Sequence, residues 1–243
     1  MHVIKLNATD STNSYLRTLS NNQVLVDYTV VFADYQTQGR GQMGTIWSSE
    51  SSKNLTVSVF KDVSKLFLVH PFYISMATSL AIIKTLHSFS TPKLSVKWPN
   101  DILSEDKKIC GVLIENVIKQ NRFKASIIGV GLNVNQTNFE DLPKATSLKL
   151  LTGTTFSLDE VLHTMIKFLK YYFMILRKEE YFFLKQEYES YLFRKNKPST
   201  FKDAEGSVFS GIIKGISNAG NLRVLIEDDI VKEFDLKDVS LLY

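Results

Sequence analysis

The sequence predicts an α/β (α+β) fold in which strands and helices alternate, followed by a small all-β segment. The first observation is a series of apolar and β-branched stretches typical of strands, at positions 3–6, 28–35, 54–61, 94–98, 107–115 and 123–135. The second is a helical spacing of apolar residues, over 72–89, 158–169 and 179–193. The third is a change of composition at Pro198, after which short strands and turn residues predict a barrel. We therefore expect one large domain over residues 1–197 and a small C-terminal β-barrel over residues 198–243.

Start and turn signals support the individual elements. The capping side chains of 10–13 precede the first short helix, and Pro71 stands at the start of the helix over 72–89. Ser157 and Glu160 have the spacing of a capping box before the next helix. The polar reversal at 105–106 joins two strand-like stretches, which predicts a hairpin.

The composition is that of an ordinary globular protein, with 44% hydrophobic and 22% charged residues. A net charge of +4 is too small to indicate a nucleic-acid partner. The single cysteine, Cys110, excludes an internal disulfide framework and is interpreted as a small buried side chain. Four scattered histidines lack metal-ligand spacing. The N-terminus lacks a signal-peptide core, and no apolar run reaches the ~18 residues of a membrane helix. We predict a cytoplasmic protein without a membrane partner.

A glycine-rich loop between two predicted strands is the most informative stretch. Gly39, Gly41 and Gly44 leave little side chain, so backbone amides can approach a ligand closely. Arg40 lies among them, and its guanidinium can bind two oxygens of a carboxylate or phosphate at once. Taken alone, the segment is equally compatible with an ordinary surface loop.

A second polar cluster follows about 60 residues later. Pro99 stiffens the turn that carries Lys97 and Asp101, and the predicted hairpin brings Lys108 back towards them. These charges are expected to converge at one end of a sheet. The alternative is that Lys107 and Lys108 are charges on a sheet edge.

Other polar residues also allow two interpretations. The side chains of 11–13 are either an ordinary N-cap or ligand-binding groups at a helix N-terminus. Asn133 either reads an adenine edge or a ribose, or is structural at a strand end. Gly111 within an apolar strand indicates close approach of another backbone or of a ligand.

In order and spacing, five segments resemble the biotin–protein ligase family. They are Ser11-Thr12-Asn13; Asp34-Tyr35-Gln36-Thr37-Gln38-Gly39-Arg40-Gly41 with Gly44 and Trp47; Val96 to Ile102; Lys107 to Glu115; and Ile128 to Asn133. The resemblance covers 11–135 strongly and the C-terminal barrel more loosely. Each segment alone is modest evidence, but an accidental match of all five is improbable.

The resemblance implies a central mixed sheet flanked by helices, as in class II aminoacyl-tRNA synthetases, plus a C-terminal Src-homology-type β-barrel. It implies an ATP- and Mg²⁺-dependent ligase that forms biotinyl-5′-AMP from biotin. The enzyme then transfers biotin to a lysine of a biotin carboxyl carrier protein or domain of acetyl-CoA carboxylase or a related carboxylase. Monomers and homodimers both occur in the family.

The resemblance also implies roles for individual residues. The catalytic residues would be Lys108, Arg40, Asp101 and Lys97, with Asp101 as the Mg²⁺ ligand. Biotin would contact Ser11, Thr12, Asn13, Gln36, Gly39, Arg40, Lys108 and Gly111. ATP or the adenylate would contact Arg40, Gly41, Gln42, Gly44, Trp47, Asn100, Lys97 and Asn133.

The chain departs from the family at the loop, where Gln42, Met43 and Thr45 replace basic residues of many relatives. We expect weaker retention of the adenylate. The ligase motifs begin near residue 10, which predicts a short form without a helix-turn-helix and without a DNA partner. The alternatives are a lipoate or octanoate ligase of the same superfamily and a non-catalytic biotin-binding protein. Polar groups suited to a ureido ring favour biotin over an acyl chain.

Overall fold

The computed structural model describes residues 2–66, 68, 70–120, 122–139 and 142–243. A seven-stranded sheet forms its centre, in the spatial order β1-β2-β3-β7-β6-β5-β4. Its strands are β1 (His2–Thr9), β2 (Thr29–Gln36), β3 (Leu55–Asp62), β4 (Leu94–Lys97), β5 (Asp101–Ser104), β6 (Lys107–Lys119) and β7 (Arg122–Leu132). Strands β1 and β2 pair parallel, and every other neighbouring pair is antiparallel. The mixed sheet expected from the resemblance is confirmed.

Helices cover both faces of this sheet. They are α1 (Thr12–Asn22), α2 (Phe72–Ser88), α3 (Leu148–Thr152), α4 (Leu158–Arg177) and α5 (Tyr181–Ser190). Leu16 of α1 packs with Val31 of β2, whereas the adjacent Val30 and Phe32 join the larger cluster with α2 and α4. Because successive side chains on a strand point to opposite faces, α1 lies on one face and α2 and α4 lie on the other.

The antiparallel strands β3, β6 and β7 show the same division. Val57 and Val59 are buried in the large cluster, while Thr56 and Ser58 point to the α1 face. A strand with one polar face, as predicted for this segment, is therefore confirmed. It supplies polar groups to a layer that α1 covers only in part.

A second, five-stranded antiparallel sheet follows, in the order β11-β10-β9-β8-β12. Its strands are β8 (Pro198–Asp203), β9 (Val208–Ile216), β10 (Leu222–Leu225), β11 (Val231–Phe234) and β12 (Val239–Leu242). The sheet begins at Pro198, where the composition changes, but its buried residues continue the large cluster of the first sheet. Trp98 Nε1 also donates to the Gly220 carbonyl at 2.8 Å. The domain boundary at 197–198 stays a prediction.

The helices differ locally from the predicted elements. The short helix α3 was not predicted, α4 continues to Arg177 beyond the predicted 158–169 stretch, and α5 is shorter than the predicted 179–193 stretch. Within the part of the chain that the structure describes, the apolar stretches of the helices are all too short or too polar to cross a bilayer.

Candidate active site

A cavity of about 420 Å³ opens on the α1 face of the central sheet. Its floor consists of alternate residues of three neighbouring strands, Thr56 of β3, Gly111 and Leu113 of β6, and Gly129 and Gly131 of β7. Gly111 and Gly131 are opposite one another in the β6–β7 pairing, as are Leu113 and Gly129. Three glycines on one face remove side chains where neighbouring groups need room, which gives the cavity its depth.

One end of the cavity is lined by uncharged polar groups. Gln36 Oε1 accepts hydrogen bonds from Thr12 N at 2.8 Å and from Thr12 Oγ1 at 3.1 Å. The fully buried Ser58 Oγ lies 2.8 Å from Thr12 Oγ1 and 2.5 Å from Asn13 Oδ1. Ser11 occupies the N-cap position of α1, yet its side chain makes no capping hydrogen bond. Ser11 therefore caps α1 through its backbone position alone, and a ligand-binding role for these side chains stays a prediction.

The other end is charged. Lys97 and Asp101 are opposite one another in the β4–β5 hairpin, and Lys108 on β6 places its Nζ 2.7 Å from Asp101 Oδ1. Burial lowers the pKa of Lys97, and the positive charges of Lys108 and Lys144 add to this, while Asp101 opposes it. The predicted convergence of these charges is confirmed, and Lys108 faces the cavity.

The glycine-rich loop forms a small hairpin over the cavity. Gly41 N donates to the Thr45 carbonyl at 2.7 Å, and Trp47 N donates to the Gly39 carbonyl at 2.9 Å. A single 3₁₀ turn, Gln42–Gly44, makes the reversal. The segment therefore forms a turn with its own backbone hydrogen bonds.

Trp47 is the large side chain that the loop places in the cavity. A Cβ atom on Gly131 would collide with its indole, and one on Gly111 would lie 3.0 Å from its Cζ3. Lys108 Nζ lies 5.5 Å from the centre of the indole, within range of a cation–π interaction. The buried Trp47 Nε1 has no hydrogen-bond partner among the described residues. This N–H is available for a ligand.

Arg40 is tied to the central sheet through Glu115. Arg40 Nη2 donates to Glu115 Oε2 at 3.0 Å, and Asn13 Nδ2 donates to the same oxygen at 2.9 Å. Arg17 Nη1 lies 3.6 Å from the other carboxylate oxygen. Sequence reasoning gave no role to Glu115 or to Ser58. The sequence signal that could have indicated these two residues is a polar or charged side chain within a mainly apolar strand.

Most of the predicted site residues line one cavity. These are Ser11, Thr12, Asn13, Gln36, Arg40, Gly41, Gln42, Trp47, Lys97, Asn100, Asp101, Lys108 and Gly111. Gly39, Gly44 and Asn133 are not among its lining residues. Gly39 is buried at the start of the loop, and Gly44 adopts a φ of 79° at the turn. Asn133 Nδ2 donates to the Thr146 carbonyl at 3.0 Å, which favours its structural interpretation.

The C-terminal sheet also contributes to the cavity, which the sequence did not indicate. Leu236 and Ser240 are among its lining residues. The ring of Tyr243 lies 4.6 Å from Lys97 Nζ and 4.2 Å from Lys144 Nζ. The second sheet therefore forms part of the charged end of the site.

Asp101 is the single carboxylate among the described lining residues. Within the described chain, no three His, Cys, Asp or Glu side chains are grouped for a metal ion. Proteins often bind Mg²⁺ through one or two carboxylates together with substrate phosphates. These residues therefore fit Mg²⁺ when a nucleotide supplies further oxygen ligands.

Comparison with known proteins gives matches over the whole chain. The bifunctional ligase/repressor BirA of Bacillus spizizenii is 29% identical, over 99% of this chain and 74% of its own length. A biotin–[acetyl-CoA-carboxylase] ligase of Mycobacterium tuberculosis is 33% identical, over 58% of this chain and 52% of its own. The solved structure of a biotin protein ligase from Aquifex aeolicus in complex with biotin and ATP is similar with a TM-score of 0.83. It is 26% identical and covers 99% of this chain and 98% of its own.

A sequence model of the biotin/lipoate A/B protein ligase family matches residues 6–133, which is more than half of the chain. The matched region contains the polar end of the cavity, the glycine-rich loop and the three charged residues of the hairpin strands. The chain belongs to the biotin/lipoate A/B protein ligase family.

Proposed function

We propose that this chain is a biotin–protein ligase. It forms biotinyl-5′-AMP from biotin and ATP, and then transfers the biotinyl group to a lysine of another protein. The observation that carries the proposal is one cavity with an uncharged polar end and a cationic end. A solved relative of matching length, in complex with biotin and ATP, supports the same activity.

The polar end suits the ureido ring of biotin, which carries two N–H donors and one carbonyl acceptor. Thr12, Gln36 and Asn13 present hydroxyl and amide groups there, and Ser58 holds two of them in place. An acyl chain would be buried against these polar groups without forming hydrogen bonds to them, which costs binding free energy. This arrangement favours biotin over lipoate or octanoate.

The cationic end suits the first half-reaction. A biotin carboxylate oxygen attacks the α-phosphorus of ATP, a new P–O bond forms, and pyrophosphate leaves with the electrons of the broken bond. Both reactants are anions, so Arg40, Lys97 and Lys108 would offset their repulsion and stabilise the charge that develops. Trp47 would pack on the adenine or on the valeryl chain of biotin.

Asp101 would act in one of two ways. It would hold Mg²⁺ together with the phosphates of ATP, or orient the incoming lysine amine in the second half-reaction. In that reaction the amine attacks the biotinyl carbonyl, an amide bond forms, and AMP departs. The 2.7 Å approach of Lys108 Nζ keeps the Asp101 carboxylate fixed at the cavity wall.

The acceptor that we propose is a biotin carboxyl carrier protein or domain of acetyl-CoA carboxylase or a related carboxylase. The name of the Mycobacterium tuberculosis relative, an acetyl-CoA-carboxylase ligase, supports this choice. The enzyme would act in the cytoplasm, where a single buried cysteine is compatible with reducing conditions.

The test is ATP–pyrophosphate exchange with purified protein and Mg²⁺, with biotin, lipoate and octanoate supplied separately. Exchange with biotin alone is the expected result. Exchange with lipoate or octanoate instead would keep the chemistry and overturn the substrate. Biotin binding without any exchange would overturn the ligase proposal. Transfer of labelled biotin to a purified carrier domain then tests the acceptor.

A further inference from the structure

Glu115 connects the polar end of the cavity to the glycine-rich loop. Its Oε2 accepts from Asn13 of the polar end and from Arg40 of the glycine-rich loop, at 2.9 and 3.0 Å. The side chain of Glu115 is 17% exposed, against 44% for that of Arg40. The carboxylate is therefore held by the sheet, whereas the guanidinium belongs to a surface loop.

Few charged side chains connect the glycine-rich loop to the rest of the protein. Between residues 37 and 47, Arg40 is the single charged residue, because positions 42, 43 and 45 are uncharged. Among the described residues Arg40 forms an ion pair with Glu115 alone. Loss of this contact would leave the indole of Trp47 as the main side-chain attachment of the loop to the sheet.

We propose that Glu115 is a positioning residue, whose carboxylate holds Arg40 and with it the glycine-rich loop over the bound adenylate. The same oxygen fixes the amide of Asn13, so that loop closure is linked to the polar end of the cavity. The expected effect on release of the adenylate rests on the proposed function. The expected effect on opening of the loop can be measured without any activity.

Glu115→Gln tests the proposal, because glutamine keeps the size of the side chain and an oxygen that can accept from Asn13. Arg17→Ala is the matched control, since Arg17 contacts the other carboxylate oxygen and does not line the cavity. Thermal unfolding establishes that both variants are folded. Trypsin cleavage at the Arg40–Gly41 bond, identified by fragment mass, measures opening of the loop without substrates.

We expect Glu115→Gln to be cleaved about three-fold faster than the wild type, as loss of a partly exposed ion pair implies. Arg17→Ala should be cleaved at the wild-type rate. Equal cleavage of Glu115→Gln and the wild type would overturn the proposal, whether or not the chain makes adenylate. Absence of biotin-dependent exchange in the wild type would instead overturn the proposed function.

A double-mutant cycle separates positioning of Arg40 from a general structural effect. Release of biotinyl-5′-AMP should be about three-fold faster in Glu115→Gln, with the KM for biotin unchanged. In an Arg40→Ala background the same change should have almost no further effect on release, because the two residues act as a unit. Additive effects of the two changes would show that Glu115 acts independently of Arg40, and the proposal would fail.

Discussion

The indole of Trp47 occupies the space that a side chain on Gly131 would need. A Cβ atom at that position would collide with the indole ring. The glycine is therefore required by a tryptophan 84 positions earlier (131 − 47) on a different element of the fold. The sheet and the glycine-rich loop meet at this contact, and the cationic end of the cavity depends on it.

Gly131→Ala should displace Trp47 and, with the indole packed on the adenine, weaken its contribution to ATP binding. We expect the KM for ATP in pyrophosphate exchange to rise by roughly ten-fold, the scale of a lost aromatic contact. Gly129→Ala is the matched variant, because its Cβ would meet the amide of Asn13. That change should raise the KM for biotin instead. Identical effects of the two variants on both substrates would contradict this division of the cavity.

Ser58→Ala should loosen the polar end of the cavity. The change leaves Asn13 Oδ1 without its 2.5 Å contact, so we expect a higher KM for biotin. The loss of a buried hydroxyl should also lower the free energy of unfolding by about 1 to 2 kcal/mol. Steady-state kinetics and urea unfolding measure the two effects.

Ser126→Ala is the control for that experiment. Ser126 is also fully buried, and its hydroxyl donates to Asn116 Oδ1 at 2.7 Å, but it does not line the cavity. It should lose comparable stability with the KM for biotin unchanged. A similar rise of KM in both variants would indicate that general destabilisation, and not the polar end, is responsible.

Lys108→Ala should almost abolish adenylate formation. Its ammonium group lies beside Asp101 and the indole of Trp47, so its loss removes positive charge where two anions must meet. We expect pyrophosphate exchange to fall by about 10² to 10³-fold, the scale of losing one electrostatic donor. Lys107→Ala, at the neighbouring exposed position, should retain activity. Exchange at the wild-type rate in Lys108→Ala would contradict the assigned role.

The alkaline limit of activity should respond to Lys144. Burial and the charges of Lys108 and Lys144 lower the pKa of Lys97, so its ammonium group loses its proton at a lower pH than an ordinary lysine. Activity that needs the charge is lost as pH rises through this pKa. Lys144→Ala removes one of the lowering charges, and the pKa of Lys97 rises. The alkaline fall of kcat/KM should therefore move to higher pH, and an unchanged or lower position would contradict the assignment.

Local patterns were enough to predict most of the secondary-structure elements, whereas the set of site residues came largely from the resemblance to a known family. Strand alternation, the hairpin reversal and the glycine spacing depend on neighbours within a few residues, and the structure has them close to the predicted bounds. The convergence of Lys97, Asp101 and Lys108 follows from two consecutive hairpins, β4–β5 and β5–β6. Such contacts are short-range in sequence, so a pattern can reveal them.

The missed residues depend on long-range packing. Ser58 becomes important because α1 brings Thr12 and Asn13 against β3, and Leu236 because the C-terminal sheet folds back on the cavity. Asn133 shows the opposite case, since its motif predicted a ligand contact while its amide is bonded to the Thr146 carbonyl. The partner of a polar side chain is set by tertiary structure, which spacing along one strand does not reveal.

The scarcity of positive charge in the glycine-rich loop leads to a prediction about retention of the adenylate. Gln42 lines the cavity, and Arg40 is the single cation between residues 37 and 47. Gln42→Arg would place a second positive charge near the adenylate phosphate, and we expect free biotinyl-5′-AMP during turnover to decrease by about two- to five-fold. The released adenylate is measured by mass spectrometry after removal of the protein. Ser48→Arg adds the same charge at an exposed loop position outside the cavity lining, so it should leave release unchanged. An equal decrease in both variants would mean that net charge, and not the position of residue 42, controls retention.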